Sequence, residues 1–453
     1  MRLPLLCIPV LNIVSKWTPI QPGQSDPILV TFIFWICVLF TVAGCAIQEG
    51  PAALIQTPDG TGGSNHPQII DRDYVVLIAF DGLRHDYLTR IDSPGFDRLA
   101  ETGVTAEALI PVFPSLTFPS HYSIATGMYP ARHGIVGNQF YDPMRNDDFD
   151  YRDSQDTQDG SWWGGEPIWL TAERQGMVAA ALFFPGTEAP IGGLRPSRWR
   201  TYDGGLPNAR RVEQVLQWLR LPPDERPHLI TLYFSLIDSA GHRLGPEAPE
   251  LEQSIHTADQ LLNELLSELE RLPYADRIFI VVVSDHGMAS VDPSRQVLVD
   301  QIVEQDNVKA VPLGPNLSLH VEGPSGLSAN IRDIFNNRVD ADTAQAFLRN
   351  EIPEHLHAAG NSRYGDVILV PAEGAVVTVR DNRRQPAGLH GWDPMLPSMH
   401  GVFFARGPTI TPGQRIGAFE LIHIYPLLAH ILGLTANPDI DGDLSVLRDI
   451  LDR

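Results

Sequence analysis

Tyr74-Val75-Val76-Leu77-Ile78-Ala79-Phe80-Asp81 is an apolar run closed by a carboxylate. A run of this length, rich in Val and Ile and without polar alternation, reads as a strand buried on both faces. Three more runs have the same form. His228 to Ile237 (HLITLYFSLI) ends in Asp238, and Arg277 to Ser284 (RIFIVVVS) ends in Asp285-His286. Gly176 to Phe184 (GMVAAALFF) ends in Pro185-Gly186. Helical patterns lie between them, at Ala209–Leu219 and Pro249–Leu272. The second carries Leu251, Ile255, Ala258, Leu261, Leu262, Leu265, Leu266 and Leu269 near a 3.6-residue period. Alternating strands and helices predict an α/β fold, a mostly parallel sheet covered by helices. Ligands of such sheets gather at the carboxyl ends of the strands. Three of the four runs deliver a metal-type side chain there.

Asp81, Asp238 and Asp285 are strand-end carboxylates. His286 adjoins Asp285, and His242 follows Asp238 by four residues, a spacing for a turn after a strand or the first turn of a helix. Taken singly, such an Asp is a helix cap or turn former; jointly they suit divalent zinc, which takes Asp and His ligands. The cysteines are Cys7, Cys37 and Cys45, so the region beyond them has neither thiolate ligands nor a disulfide framework. Hydrophobic residues make up 43% of the 453, enough for a sizeable core. The formal charge of -22 argues against a nucleic-acid-binding surface, which needs a basic face. An anionic substrate would then need local positive charge, which bound cations supply.

The segments FDGLR, FPSLTFPSHYSIATGMYPARHGIVGN, GGEPIW, FFPG, IDSAGH, SDHGM and GLHGWD occur in this order between Asp81 and Asp393. In these motifs the chain resembles the nucleotide pyrophosphatase/phosphodiesterases, a branch of the alkaline phosphatase superfamily. The resemblance implies an alkaline-phosphatase-like central mixed, mostly parallel sheet with helices on both faces. It implies two zinc ions per chain. One would be held by Asp81, Asp285, His286 and Thr117, the other by Asp238, His242 and His390. His390 fits the family's G-x-H-G-x-D pattern in Gly388 to Asp393, whereas His400 also precedes a glycine but lacks that context. His121 and His133 match no ligand position and read as structural. Thr117 would be the nucleophile, forming a phospho-threonine in the first of two in-line displacements. Asn138 would donate to a phosphate oxygen, together with the backbone N–H of Thr117.

The implied substrate is a nucleotide diester or pyrophosphate, with nucleoside monophosphate released. Phe118 and Tyr202 are candidates for stacking on the base. The aspartates that follow Asn138, from Asp142 to Asp159, are expected to disfavour long polyphosphates if they lie near the site. That leaves a lysophospholipid or other non-nucleotide diester as an alternative. A phosphomonoesterase of the same superfamily is another, disfavoured by the lack of a lysine near Thr117. A sulfatase is excluded, because Thr117 stands where its nucleophile would be Cys or Ser in a C/S-x-P-x-R context.

Ile28 to Val42 is an apolar run ending in Val42-Ala43-Gly44-Cys45, which is similar to a bacterial lipobox. It predicts a signal peptide over 1–44 and lipid on Cys45, hence a membrane-anchored extracytoplasmic lipoprotein of a bacterium. A spanning helix is the alternative, the run being near the short limit for one. A Gly- and Pro-rich tether is expected over 45–70, and the catalytic domain over 71–453.

Overall fold

A computed structural model of the chain describes residues 62–303, 306–379 and 385–451. The expected signal peptide and Cys45 lie outside them. Among the described residues no helix is long and apolar enough to cross a membrane. Of the expected tether, residues 62–70 are described, and they belong to the catalytic body. The Asn65 amide donates to Pro223 O and Arg226 O and accepts from the Val178 N–H. Ile69 is buried in the core.

Eight strands form the central sheet, in the spatial order Gln414–Ile416, Val104–Ala106, Phe403–Arg406, Ile278–Val283, Tyr74–Phe80, Leu229–Phe234, Ala179–Leu182, Arg198–Arg200. Phe403–Arg406 runs antiparallel to both neighbours, and the other pairs are parallel. This is the mixed, mostly parallel α/β sheet expected. Tyr74–Phe80 is buried at every residue because strands flank it on both sides and helices cover the sheet. Each fully buried Val, Leu or Ile there contributes roughly 1.5–3 kcal/mol relative to leaving it exposed.

The three acid-bearing strands are neighbours. Phe80 pairs with Phe234, and Ala79 with Val283. Continuing that register sets Asp285 beside Asp81. Leu229–Phe234 is shorter than the apolar run that announced it, because the chain turns at Ser235 into the helix Leu236–Leu244. Asp238 therefore sits in the first turn of a helix, with its N–H donating to Asp81 O at 3.1 Å. The long helix spans Glu252–Leu269, after a 3-10 turn at Pro249–Leu251, and buries Ile255, Ala258, Leu261, Leu262, Leu265, Leu266 and Leu269. Its apolar stripe follows the sequence periodicity.

A second, antiparallel sheet was not anticipated. Its order is Val308–Leu313, Asn316–Val321, Val367–Pro371, Ala344–Leu348. It has its own small core, in which Leu317, Leu319 and Leu369 pack with Ile331 and Phe335 of the helix Leu327–Arg338.

Candidate active site

At the carboxyl ends of the three adjacent strands, Asp81, Asp238, Asp285 and His286 converge. His242 comes from the next turn of the Asp238 helix. His390 follows a two-residue strand, Gly388–Leu389, that pairs with Ala289–Ser290 just beyond His286. Two groups have ligand atoms close enough to share an ion: Asp238, His242 and His390, and Asp81, Asp238 and His286. The second differs from the expected Asp81–Asp285–His286 set. Asp238 stands between the two groups because its helix starts at the Asp81 strand end. Asp285 remains adjacent, its Oδ2 lying 3.1 Å from His286 Nε2. His400 lies elsewhere, its ring 5.9 Å from that of His85.

The donor chemistry fits cations. Nδ1 of His242 is 2.8 Å from Gly388 O, that of His390 2.8 Å from Ser115 O, and that of His286 2.9 Å from Gly287 O. A carbonyl can only accept, so each imidazole carries a proton on Nδ1 and turns Nε2 inward, where the neutral ring offers a lone pair to a cation. Nε2 of His242 and His390 face one another at 3.2 Å, and both approach Asp238 Oδ1, at 3.2 and 3.4 Å. His286 Nε2 is 3.3 Å from Asp81 Oδ1. Asp81 Oδ1, Asp238 Oδ1 and Asp285 Oδ2 are buried without hydrogen-bond donors. Lone pairs aimed at lone pairs in a buried site require positive charge between them.

The electrostatics agree. Burial raises the Asp81 carboxyl well above the usual range, and Asp285 and Asp238 push it further. Burial acts the same way on Asp285, but His286 and His121 overcome it and hold that carboxyl well below the usual range. His286, pulled down by burial, is carried up to about 10 by Asp285 and Asp81. The protein groups by themselves balance their charge with protons, a role divalent ions would take over.

Thr117 opens the helix Thr117–Thr126, and its Oγ1 lies 3.4 Å from His286 Nε2. Asn138 Oδ1 accepts the Phe118 N–H at 2.9 Å. Both line a cavity of about 470 Å³, with Phe118, Tyr202, Tyr233, Phe183 and the metal-type residues Asp81, Asp238, His242 and His390. Tyr202, 47% exposed, stands edge-on to Phe183 at 5.3 Å. Phe183 has φ 69°, a conformation strained for a bulky side chain and one that gathers at ligand sites.

Residues 75–393 match the family described as Type I phosphodiesterase / nucleotide pyrophosphatase. This chain belongs to that family. An uncharacterized pyrophosphatase/phosphodiesterase of Schizosaccharomyces pombe is 34% identical, over 89% of this chain and 86% of that protein. Ectonucleotide pyrophosphatase/phosphodiesterase family member 1 of Homo sapiens is 32% identical over 86% of this chain. The chain spans only 42% of that longer protein. Among solved structures, murine ectonucleotide pyrophosphatase/phosphodiesterase 5 superposes with TM-score 0.79 at 28% identity, covering 84% of this chain and all of that one. An inactive form of the murine protein, in complex with AMP, gives TM-score 0.78 at 27% identity over the same share of each chain. These relatives are fungal and animal, so they give no support to a bacterial origin.

Three phosphodiesterase-site residues escaped the sequence reading. Tyr233 donates its hydroxyl to Asp81 Oδ2 at 2.5 Å, and inside a continuous apolar strand nothing distinguished it from core. Glu188 accepts the Tyr202 N–H at 2.7 Å and so holds the aromatic wall. Arg152 is the one Arg or Lys among the described residues lining this cavity. The aspartates around it do not line it. Asp142 binds Arg363, Asp148 binds Lys309, and Asp153 and Asp159 cap turns through the Gln155 and Ser161 N–H groups. The residues just before and after the hairpin line the site, but none of these aspartates does, so any bar to long polyphosphates would act through charge at longer range.

Proposed function

We propose that this chain hydrolyses phosphodiester or pyrophosphate bonds of nucleotides and releases a nucleoside monophosphate, with Thr117 as nucleophile and two zinc ions as cofactors. The observation that carries this is the position of Thr117 Oγ1, beside His286 at the rim of the carboxylate–imidazole cluster and on the wall of an aromatic-lined cavity. The AMP complex of the murine relative supports a nucleotide substrate.

Asp81, Asp285 and His286 would hold one ion next to Thr117, and Asp238, His242 and His390 the other. Such a pair lowers the cost of deprotonating a hydroxyl and stabilises entering and leaving oxygens. The chain's own groups do the rest. The helix Thr117–Thr126 fixes the hydroxyl for in-line attack on phosphorus. Asn138 spends Oδ1 on the Phe118 N–H, so its NH₂ is the end able to donate to a non-bridging phosphate oxygen. That donor adds no formal charge, which suits a diester. Phe118 and Tyr202 offer π-faces for the base, and Arg152 a cation for an acceptor-rich or anionic part of the substrate. Water completes the cycle by displacing the phosphoryl group from Thr117.

The test is turnover of a chromogenic phosphate diester against its monoester, with and without a chelator. We expect diester hydrolysis, lost with the chelator and restored by zinc. Two displacements each invert phosphorus, so a chiral diester should react with net retention; net inversion would rule out the phospho-threonine. The placement outside the cytoplasm on a lipidated Cys45 belongs to the same proposal, and rests on the VAGC motif. Cys45→Ser should move the protein from the membrane to the soluble fraction, and equal membrane retention of both forms would refute lipidation.

A further inference from the structure

We propose that His121 is a positioning residue that ties the Thr117 nucleophile to the carboxylate of Asp285, so that one imidazole sets both. The inference rests on the reading of Thr117 just given and adds to it a residue outside the expected catalytic set.

His121 lies one helical turn after Thr117, with its side chain fully buried. Its Nδ1 is 2.9 Å from Thr117 O and 3.2 Å from Asp285 Oδ2. Both oxygens can only accept, so the proton belongs on Nδ1: it makes its hydrogen bond to Thr117 O, and the Asp285 carboxylate lies against the same nitrogen as an electrostatic contact. The contact joins two elements remote in sequence: the helix that begins at the nucleophile, and the turn after Ile278–Val283 that delivers Asp285 and His286. Asp285 Oδ2 is also the oxygen that approaches His286 Nε2. A shift of the imidazole therefore moves the helix start and the carboxylate together.

The remainder of the ring shows what this position does not need. It stands edge-on to Phe184 and Tyr233, at 5.0 and 5.3 Å, in surroundings that suit an apolar ring. Its Nε2 is buried without a partner. An unsatisfied buried nitrogen is a cost that phenylalanine would avoid. What histidine brings here is the Nδ1 donor. The neighbouring His133 makes the contrast. Its Nδ1 accepts the Ile135 N–H and its Nε2 meets Ser123 Oγ, so both nitrogens are satisfied inside the helix pair. His133 reaches neither Thr117 nor a metal-type carboxylate by any of these contacts.

The experiment compares three variants on the zinc-loaded full chain, with Thr117→Ala alongside. His121→Asn keeps a donor near the Nδ1 position, His121→Gln moves the donor out toward Nε2, and His121→Phe keeps the ring without a donor. Misplacing a reacting group by about 1 Å costs on the order of 100-fold in rate. We expect kcat for a chromogenic diester to fall by about that factor in the Gln and Phe variants, with KM within about twofold. The Asn variant should recover at least about tenfold of that loss. Zinc should be held about 10-fold or more weakly in the Gln and Phe variants, and close to normally in the Asn variant. Equal losses in Asn and Gln would mean a merely structural ring and overturn the proposal. So would a loss confined to KM, or native activity in the Gln variant. The Asn–Gln comparison decides even if the Phe variant does not fold. Full activity in Thr117→Ala would refute the Thr117 reading itself; inactive Thr117→Ala without an Asn–Gln difference refutes only the positioning role.

Discussion

Tyr233 shows how one hydroxyl can govern a candidate metal ligand. Its O–H meets Asp81 Oδ2, leaving Oδ1 as the oxygen aimed at His286. Removing that hydroxyl frees the carboxylate to rotate. Tyr233→Phe should weaken zinc binding about 10- to 100-fold while the fold survives, which titration against a competing chelator would measure. Equal zinc affinity in both forms would mean that Asp81 is held by the strand alone. Thr117→Ser keeps the coordinating oxygen and should retain appreciable diesterase activity, whereas Thr117→Ala should lose several orders of magnitude. At this scale the sequence was readable where a residue closes a strand or sits in a motif, as Asp81, Asp285-His286 and Thr117 do. It was silent about Tyr233 and read His121 only as structural. A tyrosine in a buried strand and a histidine on a buried helix look like core until the neighbouring element is in place.

Asn138, just before the hairpin Gln139–Asp142/Asp147–Asp150, and Tyr151, Arg152, Ser154 and Thr157, after it, form one wall of the cavity. Arg152 stands on the ring of Tyr151 at 4.5 Å, and Tyr151 in turn contacts Phe118. Arg152→Ala should raise KM several-fold for nucleotide pyrophosphates and little for a neutral aryl diester, read from steady-state kinetics on both. An equal effect on the two would show that the arginine only supports the wall. The short helix Pro130–His133 makes a prediction about pH. Burial lowers His133 to about 3, from an ordinary 6.5. The unfolded chain therefore binds this proton first as pH falls. Its contribution to stability is intact above about pH 6.5. It is lost progressively down to about 3. One such proton gives a slope of up to about 1.4 kcal/mol per pH unit. Urea midpoints between pH 6 and 4 should fall less steeply for His133→Gln than for the native chain, and identical slopes would refute it. In the sequence, the run of aspartates in the hairpin reads as one negative face. Backbone N–H groups, Arg363 and Lys309 engage several of those carboxylates one by one, and a sequence does not show which way each one turns.

For the molecule as a whole, ions that bind the folded state and not the unfolded one add RT ln(1 + [L]/Kd) to stability. At free zinc about 100-fold above Kd this is about 2.7 kcal/mol per site. The melting temperature should rise with free zinc and fall with a chelator, and the shift should shrink in Asp238→Asn, which removes the carboxylate between the two groups. A zinc-independent melting curve would count against the cluster as a metal centre. Four of the eight strands of the central sheet were legible from apolar runs and the helices between them. The antiparallel sheet from Val308 to Pro371 was not, because its strands are short, carry no motif, and in Val308–Leu313 and Ala344–Leu348 mix buried with exposed residues.

The register that sets Asp285 beside Asp81 has a consequence for how the chain comes together. The three acid-bearing strands are joined through long stretches of intervening chain, and such distant pairings are late and slow to form. A parallel strand displaced by one residue would turn its terminal acid to the opposite face of the sheet. A metal ion bound there would thus serve as a gauge of correct assembly, gripping firmly only when all three edges are flush. Uptake of the ion during refolding should follow completion of the sheet, as a single late phase.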